Sequence, residues 1–180
     1  MRKTLVLAVL AILVAATGTA SADWKAHSFE VGVYLPYVSF DNNIGLDNDF
    51  GFGARFGYKF VKGHEVEVGW NSISTKFDAG SFGKFDVKFS TLNAGYLYNF
   101  TKVKGCTPFV TGGLGSTKFD PDQGSSETDS SYYAGGGVRF YFGKNFNLRL
   151  EGDYQSVSGN SDTATNWIGA AGVGWTFGGK

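Results

Sequence analysis

Apolar and polar residues alternate along the chain, most clearly between Tyr132 and Gln155. Successive side chains of a β-strand point to opposite faces, so this period of two predicts a hairpin with one apolar and one charged face. Gly143, Lys144 and Asn145 separate the two runs and form the predicted turn. The predicted apolar face consists of Tyr132, Ala134, Gly136, Val138, Phe140, Phe142, Phe146, Leu148, Leu150, Gly152 and Tyr154.

The same period recurs in six further segments, which gives eight predicted strands. The apolar faces of these segments fall within 29–37, 50–60, 66–70, 92–100, 110–114 and 167–177. Long polar connections at 41–49, 77–84, 120–131 and 158–165 alternate with short ones at 61–63, 101–106 and 143–145. Such alternation is typical of an antiparallel up-and-down barrel in a bilayer.

The fourth predicted strand departs from this regularity. Phe85, Val87 and Phe89 are out of phase by one residue with the apolar run from Leu92 to Phe100. Two explanations are open. A bulge near Ser90 could reset the register, or the early part of the strand could project beyond the apolar layer.

The volumes of the two faces indicate which one points outward. Eight strands closed into a barrel leave an interior only just wide enough for side chains. The apolar face carries most of the bulky aromatic residues, whereas the opposite face alternates charged residues with glycine. The sequence therefore predicts an all-β protein, an eight-stranded antiparallel up-and-down transmembrane β-barrel with its aromatic face toward lipid. A soluble, lipocalin-like barrel with an apolar interior is the disfavoured alternative.

Charged side chains inside so narrow a lumen must be paired or hydrated. The turn at 61–63 is expected to set Lys59 opposite Glu65. Arg139 is expected opposite Glu151 if the hairpin loop has five residues, and diagonal to it if the loop has three. We expect a salt-bridged lumen without a wide channel. The predicted lumen charge network is Glu30, Arg55, Lys59, Glu65, Glu67, Arg139, Arg149, Glu151 and Asp153.

Aromatic residues near the strand ends are predicted to form girdles at the two membrane interfaces, where amphipathic rings are favoured. These residues are Tyr37, Phe60, Phe100, Phe142, Tyr154, Trp167 and Trp175.

The N-terminal segment predicts export. Arg2 and Lys3 precede an apolar run over 5–16, and a small-residue cleavage site ends at Ala22. This is the pattern of a signal peptide, and the apolar run is too short to span a bilayer as a helix. We expect residues 1–22 to be the signal peptide and residues 23–180 to be one barrel domain. Removing Arg2 and Lys3 leaves two more acidic than basic residues, which gives no indication of nucleic acid as a partner.

Several motifs resemble those of a known family. They are the segments 108–115 (PFVTGGLG), 136–140 (GGVRF), 147–154 (NLRLEGDY) and 172–177 (GVGWTF). With them the region 23–180 resembles the small outer-membrane β-barrel family, which includes the membrane domain of OmpA and the opacity-type proteins. The resemblance implies a place in the cell outer membrane of a Gram-negative cell, with periplasmic termini.

The resemblance also implies partners. These are outer-membrane lipid and lipopolysaccharide, together with the assembly machinery, which recognises a terminal strand that ends in an aromatic residue. Phe177 fits that role as the assembly signal, although three residues follow it here where the family usually stops. We expect a monomer.

Catalysis is disfavoured. Some eight-stranded barrels modify lipid A, and such chemistry needs a histidine, a hydroxyl and a carboxylate brought together. His27 and His64 are the only histidines, and neither has a serine two residues away on one strand face. The sequence thus predicts no catalytic residue.

Metal binding is also disfavoured. The acidic runs at 41–49 and 120–129 lack the spacing of an EF-hand loop. Cys106 is the single cysteine and cannot form an internal disulfide. We expect no metal site and no cofactor. The predicted function is a structural or surface-interaction role through the long loops. A narrow porin-like channel and a lipid A-modifying barrel enzyme remain the alternatives.

Overall fold

A computed structural model shows eight antiparallel strands in sequence order that close into a barrel. It describes residues 25–41, 45–78, 83–101, 103, 105–121, 125–159 and 163–179. The strands are β1 (Ser28–Ser39), β2 (Asp49–Val61), β3 (His64–Asp78), β4 (Lys84–Asn99), β5 (Thr107–Pro121), β6 (Glu127–Phe142), β7 (Phe146–Ser158) and β8 (Thr163–Gly178).

Pairing between β1 and β8, from Ser28 opposite Gly178 to Ser39 opposite Trp167, closes the barrel. The predicted fold class is confirmed. Within the described ranges, no helix is long and apolar enough to cross a membrane. The predicted signal peptide lies outside the described residues.

The two ends of the barrel differ in their connections. At one end, here called the turn end, the strands are joined by 62–63, 100–106 and 143–145. Gly63 and Gly143 adopt positive φ angles of 86° and 67° there, a conformation that favours glycine. At the other end, here called the loop end, the connections are 40–48, 79–83, 122–126 and 159–162.

The strands extend further toward the loop end than the sequence predicted. Ladder pairs join Phe77 to Phe85 and Phe119 to Glu127. The predicted loops at 77–84 and 120–131 were therefore too wide. Residues at the ends of these predicted loops form backbone pairs with the neighbouring strand and so continue the sheet.

The apolar faces of the strands point outward. Large apolar side chains remain exposed on the outer wall, among them Leu35 (63%), Leu114 (72%) and Trp167 (63%). Such a surface suits hydrocarbon and would promote aggregation in water. The outward orientation predicted from side-chain volume is confirmed.

The irregular fourth strand is explained by its length. The register between β3 and β4 runs without a shift from His64 opposite Tyr98 to Asp78 opposite Lys84. There is thus no bulge near Ser90 against β3, and the early part of β4 projects beyond the apolar layer. Phe89 lies inside the barrel, fully buried.

Phe89 belongs to a cluster that we call the apolar cap: Val38, Phe40, Ile73 and Phe89. The ring of Phe89 makes edge-to-face contacts with Phe40 and Phe119, with centroids 5.1 and 5.0 Å away. On the outer wall near the loop end, Lys76, Lys88 and Lys118 are exposed. Near the loop end, the barrel wall is therefore apolar on its inner face and charged on its outer face, the reverse of its pattern nearer the turn end.

The length of the strands accounts for this reversal. A strand crosses a bilayer with about 9–11 residues, whereas β4 has 16. The part that extends beyond the lipid is surrounded by water, so apolar side chains turn inward and charged ones outward, as in a soluble barrel.

The reversal predicts where a water-soluble maleimide reacts on the purified protein in lipid nanodiscs. In a Cys106→Ser background, we expect Ser74→Cys and Lys88→Cys to be labelled, because both positions are exposed above the apolar layer. Ile73→Cys in the apolar cap and Leu92→Cys on the lipid-facing wall should stay unlabelled. Labelling of Leu92→Cys together with protection of Lys88→Cys would contradict this arrangement.

Candidate functional site

Ionised side chains fill the half of the lumen nearest the turn end. They occupy inward-pointing positions of β1, β2, β3, β6 and β7, and each is at most 9% exposed. We call this group the ionic cluster: Glu30, Arg55, Lys59, Glu65, Glu67, Arg139, Arg149 and Glu151. Its four carboxylates balance its four cations, so the lumen buries ions at little net charge.

One ion pair lies beside the seam between β1 and β8. Lys59 Nζ lies 2.6 Å from Glu30 Oε2 and also donates to the Thr176 hydroxyl at 3.0 Å. The Thr176 hydroxyl in turn donates to Glu30 at 3.1 Å. These contacts connect β1, β2 and β8 from inside.

A second ion pair crosses the lumen. Arg139 Nη1 on β6 lies 2.6 Å from Glu65 Oε2 on β3, and both side chains are fully buried. The amide of Asn99 donates to the same carboxylate at 3.3 Å. Arg139 thereby connects opposite walls of the barrel.

The predicted register is correct in both hairpins, the second following the three-residue-loop alternative with Arg139 diagonal to Glu151, but the closest ion pairs join other partners. Lys59 faces Glu65 in the ladder as predicted, but the close ion pairs are Lys59 with Glu30 and Arg139 with Glu65. In the second hairpin, three residues separate the strands and Arg139 faces Arg149, which leaves Glu151 opposite Gly137. Long side chains in a narrow lumen reach across it, so ladder neighbours do not determine their partners.

Arg149 and Arg55 complete the cluster. Arg149 binds Glu67 through Nη1 at 2.7 Å and Glu151 through Nη2 at 2.5 Å. Arg55 Nη1 lies 2.7 Å from the other oxygen of Glu151. Glu151 thus accepts from two guanidinium groups. Charge-assisted bonds of this length compensate for part of the large cost of removing ions from water.

Aromatic rings share the lumen with the charges. The alternation places Tyr34 on the charged face with Glu30, whereas the inward ring of Phe109 was not predicted. The Arg55 guanidinium lies 4.0 Å from the centroid of the Tyr34 ring, and the Arg149 guanidinium lies 4.4 Å from that of Phe109. A Cβ on Gly53 would collide with the Tyr34 ring, and a Cβ on Gly137 would lie 2.8 Å from a ring carbon of Phe109. An aromatic residue on the charged face, opposite glycine on the next strand, is the sequence signal for such a ring.

Asp153 lies above the ionic cluster, toward the loop end. It lines a small polar cavity of about 40 Å³ together with Tyr34, Tyr133 and Gln155. A cavity of that size holds about one water or a few. Asp153 was predicted in the charge network, yet it makes no ion pair with any residue that the structure describes.

The apolar cap lies above this cavity, toward the loop end, and Leu46, Phe119 and Ile168 pack against it. Beyond the cap, the loop end holds a larger cavity of about 800 Å³, here called the mouth cavity. From the turn end to the loop end, the lumen therefore contains the ionic cluster, the small polar cavity, the apolar cap and the mouth cavity.

The predicted girdle residues lie on the outer wall at two levels. Phe60, Phe100, Phe142 and Trp175 lie near the turn end, and Tyr37, Tyr154 and Trp167 lie toward the loop end. Tyr154 and Trp167 pack edge to face with ring centroids 5.2 Å apart. Their role as girdles stays a prediction, as does that of Phe177 in assembly; the Phe177 ring stacks on Phe29 with centroids 5.8 Å apart.

The two histidines lie on the outer wall near the turn end. His27 Nδ1 is 3.3 Å from the Tyr58 hydroxyl, and His64 Nδ1 is hydrogen-bonded to the Tyr96 hydroxyl. Among the residues that the structure describes, no three His, Cys, Asp or Glu side chains are grouped so as to hold a metal ion.

Residues 6–177 match the family model described as the outer membrane protein beta-barrel domain. The chain belongs to this family. With the lipid-suited outer wall, membership places the protein in the cell outer membrane, as predicted, and confirms the resemblance drawn from the sequence.

Individual relatives agree with this assignment. The outer-membrane barrel chain is 23% identical over 178 residues to outer membrane porin F of Pseudomonas aeruginosa, covering 96% of this chain and 51% of porin F. It therefore spans about half the length of that curated relative.

Solved structures with the same fold include Neisserial surface protein A and OprG from Pseudomonas aeruginosa. For the former, the TM-score is 0.62 at 19% identity, covering 83% of this chain and 96% of that one. For the latter, it is 0.60 at 17% identity, covering 85% and 97%. At these identities the likeness supports the fold alone.

The buried Arg139–Glu65 pair should be far more sensitive to mutation than an exposed pair. We expect Arg139→Ala to lower the free energy of unfolding by about 3–5 kcal/mol, because the Glu65 carboxylate is left buried without its cation. Lys118→Ala breaks the exposed Lys118–Asp120 pair and should lower it by about 1 kcal/mol or less. Urea unfolding in lipid vesicles, followed by tryptophan fluorescence, measures both. Equal losses of unfolding free energy in the two variants would contradict the description of Arg139–Glu65 as a buried pair and Lys118–Asp120 as an exposed one.

Proposed function

We propose that this outer-membrane barrel acts at the cell surface through its loop end and that its lumen is closed to solutes. The observation that carries the proposal is the pair of layers that fill the lumen in series. The ionic cluster occupies the half nearest the turn end, and the buried side chains of the apolar cap occupy a layer in the other half. A solute would have to displace both.

The two layers resist opening for different physical reasons. Separating Arg139 from Glu65 inside the barrel exposes two ions to a poorly solvating interior, which costs several kcal/mol. Moving Phe89 out of the cap removes a fully buried ring from its contacts, which is comparable to a loss of about 3–5 kcal/mol in other cores. Separating Arg139 from Glu65 leaves the apolar cap in place, and moving Phe89 leaves the ionic cluster in place.

The orientation is proposed from the loop end, which carries the longest connection, 40–48, and the part of the strands that projects beyond the apolar layer. Barrels of this kind have short periplasmic turns and longer extracellular loops, so the loop end is proposed to face outside. Outer-membrane lipid and lipopolysaccharide then surround the apolar wall, and the assembly machinery inserts the barrel. We propose a monomer, since the strands pair among themselves without a free sheet edge.

A narrow channel is the competing function, because porin F is named a porin. Catalysis has weaker support: within the described ranges, the two histidines bond to tyrosine hydroxyls on the outer wall. Neither contact joins a histidine to a carboxylate, as hydrolysis of the serine type requires.

Planar-bilayer recordings distinguish the closed barrel from the channel. We expect the purified monomer to give no large, stable conductance. Phe89→Ala should not change this, because the ionic cluster still closes the lumen after the apolar cap has been weakened. The heat-denatured sample is the control for contaminating pores, and large, stable conductance steps from the folded monomer would overturn the proposal.

Orientation needs a separate measurement on intact cells. In a Cys106→Ser background, a membrane-impermeant maleimide should label Lys88→Cys near the loop end. It should label Lys144→Cys in the turn at 143–145 only after the outer membrane has been permeabilised. The reverse result would place the loop end in the periplasm.

A further inference from the structure

The mouth cavity at the loop end has the size of a small-molecule site. Its volume of about 800 Å³ lies within the range of about 300–1,000 Å³ that is common for ligand pockets. Its described lining includes Leu46, Phe77, Phe85, Val87, Phe119 and Val157. These side chains come from four strands and one connection, so the cavity is built by the barrel wall as well as by its loops.

The apolar part of the lining is continuous with the apolar cap. Phe119 packs on the buried Phe89, while Phe85 and Val87 occupy the inward phase of β4. Phe77 stays 38% exposed although it too borders the cavity. Apolar surface that faces an open, water-accessible space gains free energy when an apolar group covers it.

The polar part of the lining has one sign of charge. Asp41, Glu127 and Asp129 border the cavity, and its described lining contains no Lys, Arg or His. Glu127 and Asp129 are two residues apart on β6 and therefore share the inward phase. Neither carboxylate has a hydrogen bond or an ion pair in the part of the chain that the structure describes.

Among the described side chains near this end, the cations are on the other side of the wall. Lys76, Lys88 and Lys118 are exposed on the outward phase of β3, β4 and β5. Lys118 is paired with Asp120 at 3.0 Å. The described lining of the mouth cavity is consequently apolar with negative charge alone, and these lysines lie outside it.

We propose that the mouth cavity binds a small amphipathic cation, a molecule with an apolar or aromatic body and an amine. The body packs on Phe85, Val87 and Phe119, and the ammonium group lies beside Glu127 and Asp129. The exposed ring of Phe77 adds a face that attracts cations. This inference rests on the proposed function, because it takes the loop end as the interacting end.

Matched fluorescent probes test the charge selectivity. Monodansylcadaverine carries an amine on a dansyl group, and N-dansylglycine carries a carboxylate on the same group. With the full chain in nanodiscs of zwitterionic lipid, we expect saturable, equimolar binding of monodansylcadaverine, seen as a blue shift and a rise in dansyl emission above empty nanodiscs. N-dansylglycine should bind at least about tenfold more weakly. Raising the salt concentration should weaken the binding of the amine.

Single-charge variants locate the site. Glu127→Gln should weaken the binding of monodansylcadaverine about fivefold, the change expected for one partly exposed ion pair. Asp86→Asn is the matched control. It removes one negative charge from the same end of the barrel, but on the exposed outer side of β4, and should leave affinity unchanged. Heat-modifiability on a gel verifies that each variant is folded.

Three results would overturn the inference: no saturable binding, equal or tighter binding of N-dansylglycine, or equal effects of the two variants. Each of these leaves the proposed function intact if the barrel is non-conducting and maleimide labelling places the loop end outside. Labelling that places the loop end in the periplasm defeats the proposed function, even when the probe binds.

Discussion

The narrowness of an eight-stranded lumen is the constraint on which the rest of this structure depends. Its interior holds side chains and little else, so every inward position must fit its neighbours across the barrel as well as along the ladder. Glycine at 53 and 137 makes room for the rings of Tyr34 and Phe109. Those rings in turn pack against Arg55 and Arg149. The arginine, the aromatic ring and the glycine that meet in the lumen therefore depend on one another for space.

The barrel wall is surrounded by lipid over part of its length and by water nearer the loop end. In the lipid layer, apolar side chains face outward and ions face inward, where each cation finds a carboxylate. Nearer the loop end the solvent outside is water, and the pattern inverts: Phe89 is buried within and Lys88 is exposed outside. The inversion places apolar contacts in the lumen nearer the loop end and ion pairs nearer the turn end, and it lines the mouth cavity with apolar surface.

Alternation along the strands predicted their number and their two faces, because that period follows directly from strand geometry. The connection lengths indicated the barrel, and side-chain volume indicated which face points outward. The out-of-phase residues at 85–89 indicated that the early part of β4 is irregular. The pattern alone could not decide between a bulge and a segment that projects beyond the apolar layer. The partners of Arg139 could not be predicted. Register fixes which residues are adjacent on the sheet, whereas contacts such as Arg139 with Glu65 depend on side chains that meet across the lumen. Alternation places Tyr34 on the inward face beside Glu30, but the packing of Tyr34 and Phe109 against arginine was missed for the same reason.

The contacts of Thr176 have a consequence for how the barrel forms. Thr176 is on β8, yet it bonds to Glu30 on β1 and to Lys59 on β2. While the first and last strands are apart, these groups face an open sheet in a medium that cannot solvate ions. They become fully partnered only when the last strand joins the first. Folding intermediates with a gap between β1 and β8 are therefore disfavoured, and the final step of insertion is expected to be cooperative.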